Sequence, residues 1–534
     1  MLFPYATPSP LRELSALVQT ALVWRVSTSD GWKYALTERH PSPRMLHVLT
    51  ILCLVSGIVL AQGPGTFTST GSLTFGRRIG YTTTLLQDGR VLVAGGAVTS
   101  NPLPDGPAYA AVSPTAELYD PSTGAYTLAA GQMTIWRSGQ SATLLPNGRI
   151  LLAGGWTTTT SSGPTDTTEI FDPAAGTFHA SSPMNFAKSC PSAVLLNNGK
   201  VLIAGGSEFG EHFGEATAEI YDPALNSFAA LGPYASAAIG GNPEPDPLES
   251  YNWGWCPTTV LRPDGRVTII WLSESGGGGY SGEVFDPATN TFTAIPQQFL
   301  LPAVPTLQLA NGLVLFTGGN DGLVPSTFAA LYDPNSGLVT PTGMSKVPLS
   351  DEAMVLLPDG TALVDGGGTA EVYDPSRGAF SLTGNDPIWA AAGTLLSDGT
   401  VLIVSAFGWG GGPSSLYHPN KLVPAPALFS TSGGAQGTIW NSSSGLLASP
   451  QTPATAGDIL SMYTTSLIEG GIMPPQVSVG GVLAPVLFFG DAPGYPGYFQ
   501  VNFQVPAGVS LASPVPVRLT YLGRSSNAVT IAVQ

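Results

Sequence analysis

The chain has 534 residues, of which 66 are glycine and 48 are proline, and only 10% of its side chains are charged. This composition is typical of a turn-rich protein with many short strands and a largely apolar interior. The formal net charge of −16 argues against nucleic acid as a partner, because phosphate binding needs a basic surface.

Two segments precede the first strand-like pattern. Residues 45–61 join an apolar run from Met45 to small residues that end at Ala61, which predicts a signal peptide. The run is too short for a membrane span, so we expect an exported protein, secreted or held at the cell surface or in the periplasm, with no stable span in the mature chain. Residues 1–44 show no domain pattern. We interpret them as an extension of the gene model or a disordered leader; a signal anchor is the alternative.

A hairpin motif, LLQDGRVLVAGG in its first copy, occurs seven times in the chain. Each copy has an apolar run, then Asp-Gly or Asn-Gly, then a second apolar run. This order predicts a β-hairpin, because those dipeptides adopt the positive φ of tight strand reversals. The copies are about 40 to 65 residues apart, the length of one blade of a β-propeller. Their turn glycines are Gly89, Gly148, Gly199, Gly265, Gly312, Gly360 and Gly399.

A turn motif, YDPSTGAY in its first copy, follows each hairpin motif. The Asp side chain and the fixed φ of Pro favour a turn between two strands, and an aromatic residue opens the second strand. The last copy is degraded, because His418 replaces the Asp. Two hairpins per repeat predict four strands, and seven repeats predict seven blades. The aromatic residues before the turn are Tyr119, Phe171, Tyr221, Phe285, Tyr332, Tyr373 and Tyr417.

Together the two motifs resemble the Kelch repeat, in the form that builds the central propeller of galactose-oxidase-like proteins. The resemblance implies an all-β fold in which residues 62–426 form a seven-bladed Kelch-type β-propeller. A strand-like segment at Gly65 has no repeat before it, while the last repeat lacks a fourth strand. We expect this segment to pair beside the strand of Tyr417, because closing the ring removes exposed strand edges.

Residues 427–534 lack the hairpin motif but contain strand-like runs separated by Gly and Pro turns. The segment resembles the Ig-like domain appended to many exported bacterial proteins. The resemblance implies an Ig-like β-sandwich after the propeller and carries no chemistry of its own.

The predicted turns are short and share one end of each blade, so the variable loops share the other end, where binding sites are common. Two interpretations of the cations and rings there remain open. They bind a glycan, through ring stacking and Arg–carboxylate pairs, or they are structural, with the rings packed between blades and the cations paired with loop acids such as Glu208, Glu211 and Glu215. The candidate ligand-binding residues are Arg78, Arg137, Lys188, Trp136, Trp253, Trp255 and Trp389.

Two cysteines occupy equivalent positions in adjacent repeats at the same predicted end. Cys190 and Cys256 form either a disulfide, which export permits, or two buried thiols. The long loop before the fourth repeat also carries clustered acids that suit calcium, but such acids are more often only solvated, so we expect no metal there. These acids are Glu244, Asp246 and Glu249.

The galactose-oxidase resemblance also implies a copper-radical enzyme, which needs a Cys-linked Tyr, a second Tyr and two His ligands at the channel mouth. After the signal peptide only His179, His212 and His418 remain, and their repeat positions do not bring two of them together. We therefore expect no cofactor and no enzyme, but an exported non-catalytic binding or adhesion protein with a glycan or protein ligand. The alternative is a carbohydrate-active or galactose-oxidase-like enzyme, and a structural envelope protein is the third interpretation.

Overall fold

The computed structural model describes residues 65–534 apart from 78, 99–110, 159–162, 207–216, 233–256, 274–278, 296–305, 319, 322–323, 350–352, 367, 406–411, 432–433 and 511–513. The segments interpreted as a gene-model extension and a signal peptide lie outside the described residues. Where the chain is described, it is all-β and its strands pair antiparallel. No helix in this described part has the length and apolar character needed to cross a membrane.

Residues 65–418 form seven sheets of four main strands each within the described part of the chain, and we number the sheets in the order of the hairpin motifs. The first three sheets contain Ile79–Leu85, Val91–Val98, Ala116–Asp120 and Ala125–Leu128; Ser141–Leu144, Ile150–Ala153, Thr168–Asp172 and Thr177–Ala180; and Ser192–Leu195, Val201–Ala204, Ala218–Asp222 and Ser227–Ala230. The next two contain Thr258–Leu261, Val267–Ser273, Gly279–Asp286 and Thr291–Ala294; and Thr306–Gln308, Val314–Thr317, Ala329–Tyr332 and Val339–Pro341. The last two contain Ala353–Leu356, Ala362–Asp365, Ala370–Asp374 and Ala379–Leu382; and Ala390–Leu395, Val401–Ser405, Ser414–His418 and Thr66–Ser69. Short strands lie beside these sheets at Ala111–Val112, Trp156–Thr157, Gly163–Pro164, Asn320–Asp321 and Val324–Pro325.

Both motifs form the turns that their residues predict. In the first hairpin motif, Gly89 has a φ of 90° and the Asp88 carboxylate accepts a hydrogen bond from the Arg90 backbone N–H at 3.0 Å. In the first turn motif, the Asp120 carboxylate accepts one from the Ser122 N–H at 2.9 Å. These bonds cap the turn with a side chain in place of a backbone carbonyl.

The N-terminal strand completes the seventh sheet. Thr66–Ser69 pairs antiparallel with Ser414–His418, and Phe67 lies opposite Tyr417. The two rings are 5.0 Å apart, the same kind of contact that joins the third and fourth strands in other sheets. The predicted pairing is confirmed, and the start and end of the repeat region are joined in one sheet.

Packing between successive sheets is apolar. The second strand of each sheet is buried, and separate clusters of buried side chains fill the space between neighbouring sheets. Ile150 and Leu92, for example, belong to one cluster that joins the first and second sheets. Each sheet is therefore stabilised mainly by its two neighbours.

Residues after 426 form two further antiparallel sheets around one buried core. The first contains Trp440–Asn441, Ile459–Thr464, Phe499–Gln504 and Val486–Asp491. The second contains Val482–Ala484, Gln476–Val479, Val515–Tyr521, Arg524–Ser525 and Val529–Ile531. We call this part the C-terminal domain.

The C-terminal domain packs on the end of the seven sheets that carries the short turns. Ile472 donates its N–H to the Ala310 carbonyl at 3.0 Å. Leu522 packs against the clusters on both sides of the sixth sheet. It sits at the tip of a hairpin with a φ of 52°, an unfavourable conformation for a residue other than glycine. Retaining leucine there indicates that its contact outweighs the backbone strain.

We expect Leu522→Asp to weaken the attachment of the C-terminal domain, because a charge would lie against an apolar cluster. The loss should be roughly 2–3 kcal/mol, the scale of one buried polar group without a partner. Thermal unfolding should split into two transitions, and proteolysis near residue 424 should accelerate. Leu487→Asp, on a leucine that is 53% exposed, is the matched control. Equal effects of the two substitutions would contradict the docking role of Leu522.

Candidate functional site

The candidate site is the loop end of the seven sheets, where second strands pass to third strands and fourth strands pass to the next sheet. The opposite end carries the short turns, some of which contact the C-terminal domain. Long connections lie at the loop end, and loops held on a rigid scaffold are common places for binding and catalysis.

Small residues line the start of the innermost strands at this end. Gly139 donates its N–H to the Gly80 carbonyl at 2.7 Å, and Cys190 donates to the Gly139 carbonyl at 2.9 Å. These three residues have φ values of 70°, 65° and 57° in chain order. Their backbones are therefore linked from sheet to sheet, and the small side chains permit that close approach.

The second strands also need glycine where the next sheet approaches. A Cβ at Gly95 would lie 2.6 Å from the Arg137 carbonyl oxygen, which is inside van der Waals contact. The neighbouring Gly96 donates its N–H to the same oxygen at 2.9 Å. The Gly-Gly of the hairpin motif thus positions the loop that carries Arg137.

Cys190 is disulfide-bonded. Cys256, its expected partner, lies outside the described residues, so the pairing itself stays a prediction. A disulfide beginning at the mouth of the inner strands restrains a loop at the candidate site.

Reduction of this disulfide should lower the free energy of unfolding by about 2–4 kcal/mol, through the greater freedom of the unfolded chain. Cys190→Ser should reproduce the loss without a reductant. Peptide mapping of the unreduced protein should recover Cys190 joined to Cys256. A free Cys190 thiol in the native protein would contradict the assignment.

Two arginines at the loop end form buried ion pairs with a glutamate of their own sheet. Arg137 contacts Glu169 at 3.2 Å and also donates to the Gly154 and Thr167 carbonyls. Arg77 contacts Glu117 at 3.4 Å in the equivalent arrangement. Burial lowers the pKa of both guanidinium groups, and attraction by the glutamate opposes that shift.

The glutamates also fasten the loop in front of each sheet. Glu117 accepts a hydrogen bond from the Thr74 N–H at 2.7 Å, and Glu169 accepts one from the Thr134 N–H at 2.6 Å. In the third sheet, Glu219 binds the N–H groups of Asn185 and Phe186. These glutamates precede the turn motif in most copies, and that recurrence was the sequence signal for them.

The described cations are buried, whereas the described tryptophans of the predicted site are exposed. Arg137 and Lys188 are fully buried, and Lys188 donates to the Thr217 carbonyl at 2.9 Å and to its hydroxyl. Arg78 lies outside the described residues, and the preceding residue, Arg77, pairs with Glu117. The expected pairing with loop acids is corrected for the arginines, because Glu117 and Glu169 on third strands are the partners.

The tryptophans at the loop end differ from the cations in their exposure. Trp136 is 40% exposed and Trp389 is 60% exposed, so both rings have area available to a ligand. Trp253 and Trp255 lie outside the described residues, as do the acids considered for calcium, Glu244, Asp246 and Glu249. The described candidates for ligand contact are therefore the rings, and the cations build the scaffold beneath them.

The described histidines lie away from the candidate site. His418 shares a hydrogen bond with the Thr68 hydroxyl at 2.8 Å, and His179 with the Thr177 hydroxyl at 3.1 Å. His179 is on the outer strand of the second sheet, and His418 ends the third strand of the seventh sheet at the turn end. Among the described residues no three His, Cys, Asp or Glu side chains come together to hold a metal ion.

No family model matches the chain, and no curated protein is significantly similar to it in sequence. The fold is similar to that of a novel fungal alcohol oxidase of the AA5 family, solved in complex with copper and described as having catalytic diversity. The similarity has a TM-score of 0.53 at 16% identity and covers 88% of this chain and 99% of the oxidase chain.

The comparison contradicts the expectation of a non-catalytic binding or adhesion protein. The neighbour is an oxidase, which favours the alternative that the sequence analysis ranked second. At 16% identity the likeness establishes the fold alone. The chain is an all-β protein with a galactose-oxidase-like β-propeller, as the repeated motifs predicted.

Proposed function

We propose that this protein is a galactose-oxidase-like enzyme that oxidises an alcohol or a carbohydrate at the loop end of its propeller. The observation that carries the proposal is the extent of the fold match, which covers 88% of this chain and 99% of the alcohol oxidase. A match of that extent cannot be confined to the repeats, so it includes more than a generic propeller.

The finer architecture belongs to the same proposal. We infer that the seven four-stranded sheets are the seven blades of a propeller over residues 62–426. We infer further that residues 427–534 are an Ig-like sandwich and that residues 45–61 direct export. In support, Thr66–Ser69 closes the seventh sheet, and the C-terminal domain has its own core between two sheets.

The loop end suits a substrate with alternating polar and apolar faces. The exposed rings of Trp136 and Trp389 offer flat apolar surfaces, and such rings stack on the C–H faces of sugars and alcohols. The buried Arg137–Glu169 pair fixes the loop of Trp136, because Arg137 is the next residue and Glu169 accepts a hydrogen bond from the Thr134 N–H. Its contribution is positional, because neither charged group is exposed.

Copper is the metal bound by the neighbouring oxidase, and the described residues do not fit it. Copper sites use histidine nitrogens and sulfur ligands, whereas His179 and His418 are hydrogen-bonded to threonine hydroxyls in two different sheets. His212 is the remaining histidine after residue 61 and lies outside the described residues. In the overall reaction an alcohol loses two electrons and two protons to dioxygen, giving an aldehyde and hydrogen peroxide.

The test is a screen of the full chain against primary alcohols and neutral sugars, with peroxide and aldehyde as readouts. One arm is supplied with Cu(II) and one is treated with a chelator, so that the metal requirement is measured and not assumed. We expect oxidation of at least one alcohol or sugar. The proposal fails if neither arm yields aldehyde or peroxide with any substrate.

The location is tested with two alanine substitutions. Trp389→Ala should lower kcat/KM by about two- to tenfold without changing the melting temperature, because one stacking surface is lost. Leu225→Ala, on a residue that is 74% exposed at the turn end, is the control and should leave kcat/KM unchanged. Equal effects would place the reaction elsewhere.

A further inference from the structure

One position in the hairpin motif differs in charge from its six counterparts. In every copy, the residue two positions before the Asp or Asn of the turn donates its backbone N–H to the backbone carbonyl four residues further along the chain. In the fourth sheet this residue is Arg262, which is only 6% exposed. In the other sheets it is a leucine in the same bonding pattern: Leu86, Leu145, Leu196, Leu309, Leu357 and Leu396.

A second departure from the repeat faces the first. In six sheets the aromatic residue of the turn motif contacts an aromatic residue on the neighbouring strand, with ring centroids 4.8 to 5.0 Å apart. In the fifth sheet the residue opposite Tyr332 is Val339. The fifth sheet therefore lacks the second aromatic ring beside Tyr332, and the fourth sheet carries the buried Arg262.

Arg262 and Tyr332, the partner of Val339, line a cleft of about 280 Å³ between the fourth and fifth sheets at the turn end. Its polar lining comes from both sheets, and Ile295 and Pro334 contribute apolar surface. The polar lining residues are Arg262, Arg266, Asp286, Thr291, Thr293, Tyr332, Asn335 and Ser336. This volume is just below the range of about 300–1,000 Å³ that is typical of pockets for drug-sized ligands.

Arg262 is only partly satisfied by the protein. One Nη atom donates to the Asn335 side-chain oxygen at 2.6 Å and contacts Asp264 at 3.2 Å. Its buried Nε–H has no hydrogen-bond partner among the described residues. A buried donor without an acceptor is costly, so the protein leaves the Arg262 guanidinium incompletely satisfied beside a cleft that this residue lines.

The charges around the cleft disfavour an anionic ligand. Arg266 makes a two-point contact with Asp264 through Nε at 2.9 Å and an Nη at 2.6 Å. Asp286 acts on Arg266, and Asp333 acts on the Tyr332 hydroxyl at the rim. The cleft and its surroundings therefore carry two arginines and three aspartates. Burial raises the pKa of Tyr332 to about 12, so its hydroxyl remains protonated at neutral pH.

We propose that this cleft is a binding site for a small neutral polyhydroxylated ligand of about one sugar ring, with Arg262 donating to a ligand hydroxyl. Neutral hydroxyls can accept from arginine and donate to carboxylate and amide oxygens, which is the mixture that lines the cleft. The site lies at the turn end, away from the loop end, and it does not depend on the proposed enzymatic activity.

The test uses hydrogen–deuterium exchange of the full chain, because this readout is local. The probes are glucose and galactose as neutral ligands, and gluconate and inorganic phosphate as anions at the same concentration. We expect the neutral sugars to protect amides at 262–266 and 333–338, and the anions to protect them less. The equivalent amides at 145–149 in the second sheet report any general effect of the sugar.

Two variants remove the site in different ways. Val339→Phe restores the ring of the other six sheets, so the protein should remain folded with an equal or higher melting temperature while the sugar protection disappears. Arg262→Leu restores the repeat leucine and should weaken sugar binding roughly ten- to hundredfold, the effect of one charged hydrogen bond. Arg149→Leu, an exposed arginine of the second hairpin motif, is the matched control and should bind as the parent does.

Three results would overturn the proposal. They are the absence of local protection by either sugar, stronger protection by phosphate or gluconate, and sugar protection that persists in the folded Val339→Phe variant. Loss of alcohol oxidation would bear only on the proposed function, since that reaction is assigned to the opposite end of the sheets.

Discussion

Arg137→Ala will lower the free energy of unfolding by about 3–5 kcal/mol, the usual cost of breaking a buried ion pair by removing one partner. Both side chains of the Arg137–Glu169 pair are almost fully buried. The substitution leaves the Glu169 charge with less compensation and also removes donors to the Gly154 and Thr167 carbonyls. Urea denaturation followed by tryptophan fluorescence measures the loss.

Arg149→Ala in the same sheet is the matched control for that prediction. Arg149 also pairs with an aspartate, at 3.0 Å, but its side chain is 54% exposed. Exposed pairs contribute about 0–1 kcal/mol, so this variant should unfold near the parent's midpoint. If Arg137→Ala kept full stability and instead weakened the binding of an anionic ligand, Arg137 would be a ligand-binding residue.

Deletion of residues 65–70 will destabilise the propeller by at least about 4 kcal/mol, or prevent its folding. The estimate combines roughly 1 kcal/mol for each strand hydrogen bond lost with the packing of Phe67. The deletion exposes the edge of Ser414–His418 and removes the ring that contacts Tyr417. An exposed edge should also promote association between chains.

A truncation that removes residues 1–61 and keeps Thr66–Ser69 is the control for this deletion. The melting temperature and the oligomeric state should remain those of the full chain. Phe67→Ala should give an intermediate loss, since the backbone pairing survives. The closing role of the strand is contradicted if the deletion and the truncation unfold at the same temperature and remain monomeric.

Much of the fold could be predicted from the sequence because its information is local. Asp-Gly and Asp-Pro-x-x-Gly determine turns through side chains and φ values within a few residues, as Asp88 and Asp120 illustrate. The pairing of Thr66–Ser69 with the last repeat is long-range, yet it was predictable because the motifs left one strand without a repeat at the start and one repeat without its fourth strand at the end.

The candidate site was less predictable because its contacts join residues that are distant along the chain. Arg137 was identified by position, but its partner is a glutamate on a third strand, 32 residues away, and not an acid in the loops. Arg77, which the alignment on Gly89 did not single out, makes the equivalent pair with Glu117, 40 residues away. Burial, which distinguishes Arg137 from Trp389, is a property of the assembled sheets.

The function was ranked wrongly for a related reason. The histidine positions argued against an enzyme, whereas the structural neighbour, whose likeness covers 88% of this chain, is an oxidase. The cleft beside Arg262 was also overlooked, although its signal was present in the sequence. Arg262 occupies a motif position that is leucine in the other six copies. Val339 occupies a position that is aromatic in the other complete copies of the turn motif.

The central claim is that this protein oxidises an alcohol or a carbohydrate with dioxygen. The most direct measurement follows oxygen consumption and aldehyde formation together in one reaction, with the full chain and a primary alcohol or neutral sugar. We expect oxygen to disappear and aldehyde to appear in equal amounts, and both rates to fall together in Trp389→Ala. Unchanged oxygen and no aldehyde, across all substrates and with copper supplied, would contradict it.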